Sequence, residues 1–291
     1  MDYQNMKLCL GTAQFGLAYG INNKQGKVHH VEVERILRCA YKNDITLLDT
    51  ASAYGESELI LGEVKNKINK EFKIITKYPA NQQISPFIWI NCSLEKMHVK
   101  KVYGYLFHNY SIFQEHPEYI EDMLKIKESG KAKKIGFSLY YPTEIEYILQ
   151  NNIPCDIVQV PYNIFDQRFE NIFPDIKSRG VEIHIRSIFL QGLLFIHPDK
   201  LDEHFTGIRH LLHELSDFST ENKLSISALC LGFVNANKYI DKIIIGVDSV
   251  SNLKENIHNY NSLSNITIDY QQFKYFSITD ENIILPFQWK K

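Results

Sequence analysis

The sequence is poor in every feature that would assign it to a membrane, a nucleic acid or a metal. Lys and Arg number 32 against 34 Asp and Glu, a net charge of -2, so no excess of one sign favours nucleic acid or an anionic membrane surface as partner. No apolar run approaches the roughly 20 residues that a membrane-spanning helix needs; the most apolar stretches, around Ile226–Val234 and Ile188–Ile196, are far shorter. The opening MDYQNMKLCLGT shows no basic segment followed by a long apolar one and no cleavage-site pattern, so no signal peptide is expected. Cysteine is scarce: Cys9, Cys39, Cys92, Cys155 and Cys230 are odd in number, scattered and never in a CxxC. They are expected to be reduced core residues of a cytoplasmic protein. The 11 histidines include no HExxH, and the adjacent His29 and His30 fall in a loop, so no metal site is expected. No GxGxxG follows a strand, and Gly16 is followed by Leu17 rather than by the Lys of a phosphate-binding loop, which leaves a Rossmann or P-loop site unsupported. Asn-X-Ser/Thr triplets at Asn91, Asn109 and Asn265 are what chance gives in so Asn-rich a chain.

What is present is an alternation. Hydrophobic residues make up 44% of the 291, and they fall first into short apolar or β-branched runs bounded by polar residues or Gly, the pattern of buried parallel strands. These runs are Lys7–Gly11, Thr46–Asp49, Lys73–Lys77, Val102–Phe107, Lys134–Ser138, Asp156–Val160, Val181–Ile185 and Lys242–Gly246. Between them lie amphipathic helical patterns such as Val31–Lys42, Glu56–Lys67, Glu118–Ser129, Glu144–Gln150 and Phe205–Phe218. Ser129 and Gly130 read as a helix stop before strand five. Strict alternation through eight strands predicts a closed (β/α)8 TIM barrel rather than an open sheet. No composition shift or Pro/Gly/Ser-rich linker divides the chain, so one domain is expected over residues 1–291. Residues 12–30 form a long first loop, and the chain ends in an irregular C-terminal tail running to IILPFQWKK.

In such a barrel the working residues stand where strands end and the following loops begin. Four polar residues hold such positions: Asp49 closes TLLDT, Tyr54 follows in ASAYGESE, Lys77 closes KIITK and His108 comes directly after VYGYLF. An Asp after a strand is commonly a helix cap, a Tyr is commonly core and a lone His is commonly structural. As a set on strands two, three and four they carry more meaning. LLDTASAYGESE resembles the DTA..YG.SE segment of the aldo-keto reductase family, whose Asp, Tyr, Lys and His tetrad occurs in this order on these strands. KIITK and YLFHNY match the family's third and fourth strand ends, and KIGFSLY, IVQVPYNIFD, FLQGLL and IIIGVDSVSNLKEN follow in family order. The resemblance thus covers nearly the whole chain. It implies reduction of an aldehyde or ketone by a nicotinamide cofactor, with Asp49, Tyr54, Lys77 and His108 as the catalytic residues.

The chemistry suits those residues. A phenol, with a pKa of about 10, keeps its proton at neutral pH, and a nearby cation makes it a better acid by favouring the phenolate. Lys77 can supply that charge while Asp49 holds it in place, and His108 can donate a hydrogen bond to the substrate oxygen. The cofactor, NADP(H) or NAD(H), would lie across the strand ends with its phosphates near strands seven and eight, where this fold often binds them. By resemblance, Ser138 and Gln159 hold the nicotinamide carboxamide, and Gly11, Thr12, Arg186, Ser187, Phe189, Gln191, Gly192 and Gly246 belong to the same site. Ser249, Asn252 and Asn256 face the adenosine end, at a helix N-terminus whose N–H groups and dipole favour an anion.

Three departures from the family pattern bear on specificity. Many relatives place Arg where Asn252 stands, to grip a 2′-phosphate, and Asp248 adds a negative charge nearby unless it caps the helix; use of NADH, or of both cofactors, is therefore open. Leu139 stands where relatives often carry Asn. Arg186 occupies the place of an aromatic ring stacked on the nicotinamide; a guanidinium can stack too, and its charge is expected to disfavour the oxidised ring. Phe15, Tyr19, Tyr140, Phe189 and Trp289 are candidates for the pocket walls. GTAQFGLAYGINN resembles a bacterial branch found with genes for surface-sugar synthesis, which implies a sugar or nucleotide-sugar carbonyl. Two alternatives stay open: a cofactor-loaded regulatory subunit with little turnover, and a barrel lyase or isomerase in which Lys77 forms a Schiff base. The expected partner is a small-molecule carbonyl, with neither nucleic acid nor membrane, and the expected assembly a monomer or small homo-oligomer.

Overall fold

In the computed structural model, which describes residues 6–80, 84–265 and 268–289, eight strands pair in chain order and the last pairs with the first, closing a parallel barrel. They are β1 (Leu8–Gly11), β2 (Leu47–Asp49), β3 (Lys73–Tyr78), β4 (Val102–Phe107), β5 (Ala132–Ser138), β6 (Ile157–Pro161), β7 (Glu182–Arg186) and β8 (Lys242–Gly246). All eight lie within two residues, at each end, of the runs identified in the sequence. The surrounding helices include His30–Lys42, Ser57–Ile68, Tyr119–Glu128, Pro142–Gln150, Ile226–Ala236 and Val250–Ser262. The first of these shows why they lie on the barrel: Val33, Ile36, Leu37 and Ala40 are its buried residues, the spacing that puts one apolar stripe on one helix face. The helix Tyr119–Glu128 stops at Ser129, and Gly130 takes a φ of +74°, as the Ser-Gly signal predicts. No helix of the described residues is long and apolar enough to cross a membrane.

Successive side chains on a strand point to opposite faces, and this alternation builds the interior. Cys9, Leu47, Ile75, Leu106, Ile157 and Ile244 form an apolar cluster separate from the large helix-facing core. Each of the six lies two residues before a position named above: Gly11, Asp49, Lys77, His108, Gln159 and Gly246. One strand register therefore fills the bore with an apolar plug and sets the polar residues directly above it. Gly136 belongs to the plug through its missing side chain, because a Cβ there would overlap the Ile157 carbonyl. At the opposite end Glu182 accepts hydrogen bonds from the Tyr103 hydroxyl at 2.8 Å and from Lys134 Nζ at 2.5 Å, with His184 Nε2 at 3.1 Å. Burial pushes the Glu182 carboxyl up, but the hydrogen bonds from His184, Lys134 and Tyr103 outweigh it and hold the group at about 2.

Some expectations need correction. All five cysteines are free, yet only Cys9 and Cys230 are buried; Cys39 and Cys155 are half-buried and Cys92 is exposed. Cys92 belongs to the helix Pro86–Lys96, whose buried residues are Pro86, Ile90, Ser93 and Leu94, so it falls on the outward side. The first loop opens with a short helix, Ala13–Gly16, and the predicted helix Phe205–Phe218 divides into a 3-10 segment, Glu203–Ile208, and a helix, Arg209–Glu221. The tail contains the helix Glu281–Ile284 between two 3-10 turns.

Gly136→Ala is expected to cost about 1–3 kcal/mol, the usual range for overpacking, visible as a drop of several degrees in the thermal midpoint. An unchanged midpoint would contradict this packing of the bore.

Candidate active site

Lys77 is fully buried, 0% exposed, where an unpaired ammonium would be very costly. Its three N–H groups are all engaged: Asp49 Oδ1 and Oδ2 each accept at 2.9 Å and the Thr50 carbonyl at 2.8 Å. Gln159 Nε2 donates to Asp49 Oδ1 at 2.7 Å. The pair is thus tied across β2, β3 and β6.

Tyr54 lies over this pair, with the Lys77 ammonium 5.2 Å from its ring centroid. The His108 ring stands edge-on to the phenol, centroids 5.6 Å apart and planes at 84°. The four residues of the predicted set therefore converge at one end of the barrel. Close backbone contact holds the Tyr54 loop there. A Cβ on Gly16 would overlap the Tyr54 carbonyl and come within 2.6 Å of the Ser57 nitrogen, and a Cβ on Gly55, whose φ is +56°, would come within 2.6 Å of the Gly16 carbonyl. Hydroxyls stitch the same junction: Thr12 Oγ1 donates to the Asp49 carbonyl at 3.0 Å, and Ser57 Oγ to the Thr12 carbonyl at 2.9 Å. Buried Glu58 accepts from Thr76 Oγ1, next to Lys77, at 2.6 Å.

Burial, and then the Asp49 carboxylate, push the Tyr54 phenol well above its ordinary range, with Arg186 opposing. The Lys77 donors are committed to Asp49 and Thr50, and desolvation of the phenol prevails. For His108, burial, then Lys77 and Arg186, lower the imidazole to about 3. The ring is neutral at physiological pH, with one nitrogen to donate and one to accept.

At the strand ends next to this set Gly246 is exposed and Gly11 is buried. Gly11 pairs in register with Gly246, so the ends of β1 and β8 carry no side chains. Gln14 lies against this spot: a Cβ on Gly246 would come within 2.6 Å of its Nε2, and its Oε1 is buried with no hydrogen-bond partner among the described residues. Sequence reasoning missed Gln14, although its place in the first loop, three residues after Gly11, was visible. The first loop also reaches across β8 to the loop after β7. Ile21 N donates to the Gln191 carbonyl and Gln191 Nε2 to the Tyr19 hydroxyl, both at 3.1 Å. Ser187, Leu190, Gln191 and Gly192 take left-handed φ values of 60, 46, 53 and 93°, a concentration of strained backbone that is common at ligand sites.

Other predicted site residues divide by what they touch. Ser138 is buried and in register with Gln159. Ser249, not Asp248, caps the helix Val250–Ser262, its Oγ accepting from Asn252 N at 3.2 Å. Asn252 is exposed, whereas Asn256 is buried and its Oδ1 accepts from Ser227 at 2.8 Å. Thr12 is fully buried and serves the junction described above. Phe189 packs on Phe195 with centroids 5.1 Å apart. The Arg186 guanidinium sits 4.2 Å from the Tyr140 ring centroid and donates from Nη2 to the Leu139 carbonyl at 3.0 Å. Of the candidate walls, Phe15 is core, and Trp289 packs on Phe205 and donates to the Ile283 carbonyl at 3.0 Å. Tyr19, Tyr140 and Phe189 keep exposed surface.

A closed parallel barrel with this polar end is the architecture of a class of NAD(P)-dependent oxidoreductases. The sequence profile of the Aldo/keto reductase family matches residues 7–280, and the chain belongs to that family, whose members reduce carbonyls with NAD(P)H. It is similar to the uncharacterised oxidoreductase YqkF of Bacillus subtilis, 24% identical over 78% of this chain and 81% of that one. It is equally similar to the L-galactose dehydrogenase of Arabidopsis thaliana, 24% identical over 92% and 89% of the two chains. Among solved structures, an aldo-keto reductase from Bacillus halodurans in its holo form shares the fold with a TM-score of 0.73 at 19% identity, covering 95% of this chain and 94% of that one.

Two outcomes follow from this geometry. The His108 ring is expected to stay neutral in NMR titration from pH 8 down to 5; protonation near its ordinary value of about 6.5 would contradict its burial. Because the lowered value disfavours the charged form, any stability it confers is present above that ordinary value and is lost as pH falls toward about 3. Gly16→Ala is expected to displace the Tyr54 loop and lower turnover at least about tenfold, since small misplacements at a reacting centre cost up to about 100-fold; wild-type turnover would show that the Gly16 contact does not position Tyr54.

Proposed function

We propose that the protein reduces an aldehyde or ketone to an alcohol with Tyr54 as the proton donor. The observation that carries this is the convergence of a buried Lys77–Asp49 pair, a phenol and a neutral imidazole above an apolar plug. Tyr54 keeps its proton until a developing alkoxide accepts it. His108 donates one ring N–H to the carbonyl oxygen and orients it. Lys77, locked by Asp49, gives the phenolate left behind a nearby positive charge, and the bore beneath excludes water.

The side-chain-free ends Gly11 and Gly246, and a Gln14 Oε1 without a partner among the described residues, support a nicotinamide dinucleotide at the mouth. When bound, that group supplies the hydride. Ser138 and Gln159 would hold its carboxamide end, Ser187, Phe189, Gln191 and Gly192 its flank, and Ser249, Asn252 and Asn256 its adenosine end, with Thr12 supporting from below. The exposed Asn252 and nearby Asp248 supply no cation for a 2′-phosphate, which supports NADH or dual use. The first-loop resemblance to a surface-sugar branch, together with the Arabidopsis relative that acts on L-galactose, supports a sugar or nucleotide-sugar carbonyl as substrate. The complete set of four polar residues favours turnover over a purely regulatory role.

Tyr54→Phe is expected to retain nicotinamide binding, followed by quenching of Trp fluorescence, while steady-state turnover falls about 10²–10⁴-fold, the usual contribution of a positioned acid. Undiminished turnover would assign the proton to another group. Asn252→Arg is expected to tighten NADPH relative to NADH in the same titration; an unchanged ratio would place the 2′-phosphate elsewhere.

A further inference from the structure

The charged groups at the barrel mouth differ in their partners. Lys77 and Asp49 pair with each other, and the His108 ring is neutral at physiological pH. Arg186 remains. It closes β7, its charge is felt at both Tyr54 and His108, and among the described residues it forms no ion pair. The carboxylate that senses it, Glu144, has its Oε2 committed to the backbone N–H groups of Tyr140 and Tyr141, at 2.7 and 3.0 Å. The aromatic groups around Arg186 are neutral as well: Tyr140 stacks on it and Phe287 packs edge-on against Tyr140 at 4.8 Å.

Arg186 is also fixed in place. Tyr140 covers one face at 4.2 Å, Nη2 donates to the Leu139 carbonyl at 3.0 Å, and Nη1 approaches Ser187 Oγ at 3.4 Å. A guanidinium carries five N–H donors in a rigid fork, so these contacts orient the group while leaving most of its donors uncommitted. A half-buried, oriented cation with free donors and no salt bridge among the described residues is a recognition device for an anion. Such a group would also bring the reacting carbonyl to a fixed place relative to Tyr54.

We propose that the substrate carries an anionic group, a carboxylate or a phosphate, a few bonds from its carbonyl, and that Arg186 binds that group. The proposal rests on the reductase reading above and narrows its substrate class. Two outcomes of the test separate carboxylate from phosphate, and a third assigns the arginine to the cofactor instead.

The experiment compares matched substrates with the cofactor-loaded enzyme: succinic semialdehyde against butanal, and glyceraldehyde 3-phosphate against glyceraldehyde. In wild type, kcat/KM is expected to be at least about tenfold higher for the charged member of one pair, and the pair that shows it identifies the anion. In Arg186→Met that ratio is expected to collapse by about 10- to 100-fold, the range for loss of hydrogen bonds to a charged group, chiefly through KM, with partial recovery in Arg186→Lys. Calorimetry with the unreactive 4-hydroxybutyrate and glycerol 3-phosphate, each against its uncharged counterpart, gives a readout independent of turnover. Anion-selective binding that Arg186→Met abolishes, without reduction of any carbonyl, would uphold the role of Arg186 and overturn the reductase reading. Reduction of charged and neutral members at equal kcat/KM would overturn the role of Arg186 and leave the reductase reading intact. Loss of cofactor affinity in Arg186→Met with an unchanged substrate ratio would likewise overturn it, by assigning the guanidinium to the dinucleotide.

Discussion

An ammonium group with no solvent exposure is the constraint on which the working end of this barrel depends. Lys77 is tolerated there because two carboxylate oxygens of Asp49 and one carbonyl of Thr50 accept all three of its N–H groups. Breaking a buried pair of this kind by removing one partner costs about 3–5 kcal/mol, so the pair fixes the relative positions of β2 and β3. Gln159 extends the restraint to β6. Tyr54 is then placed against a group that cannot move without a large penalty, and the loop carrying it is pressed down by Gly16.

Above the pair, burial and then the Asp49 carboxylate hold the Tyr54 proton more tightly than in water. Arg186, which makes no salt bridge among the described residues, keeps most of its donors free at the same end of the barrel.

Much of this was legible in the sequence, for a definite reason. Barrel strands are covered on both faces and read as short apolar runs, so the strand ends could be counted, and Asp49, Lys77 and His108 located from them. The helix Pro86–Lys96 was less visible because PFIWINCSLEK mixes aromatic and β-branched residues that read equally well as a strand; its Pro at the first helical position was the available signal. The partners of the site were not legible. That Gln159 contacts Asp49, that Gly16 meets Gly55, that Gln14 lies against Gly246 and that Arg186 stacks on Tyr140 are contacts between segments far apart in sequence.

The chemistry at this end of the barrel depends most directly on the protonation state of one hydroxyl. Carbon-13 NMR of the protein labelled at tyrosine Cζ, with the Tyr54 resonance assigned by its absence in Tyr54→Phe, reads that state directly across pH. The expected result is a phenol that remains protonated beyond the ordinary tyrosine value of about 10. Ionisation of Tyr54 below about pH 9 would show that desolvation does not dominate at this hydroxyl, and would contradict the proton-retaining phenol on which the proposed chemistry rests.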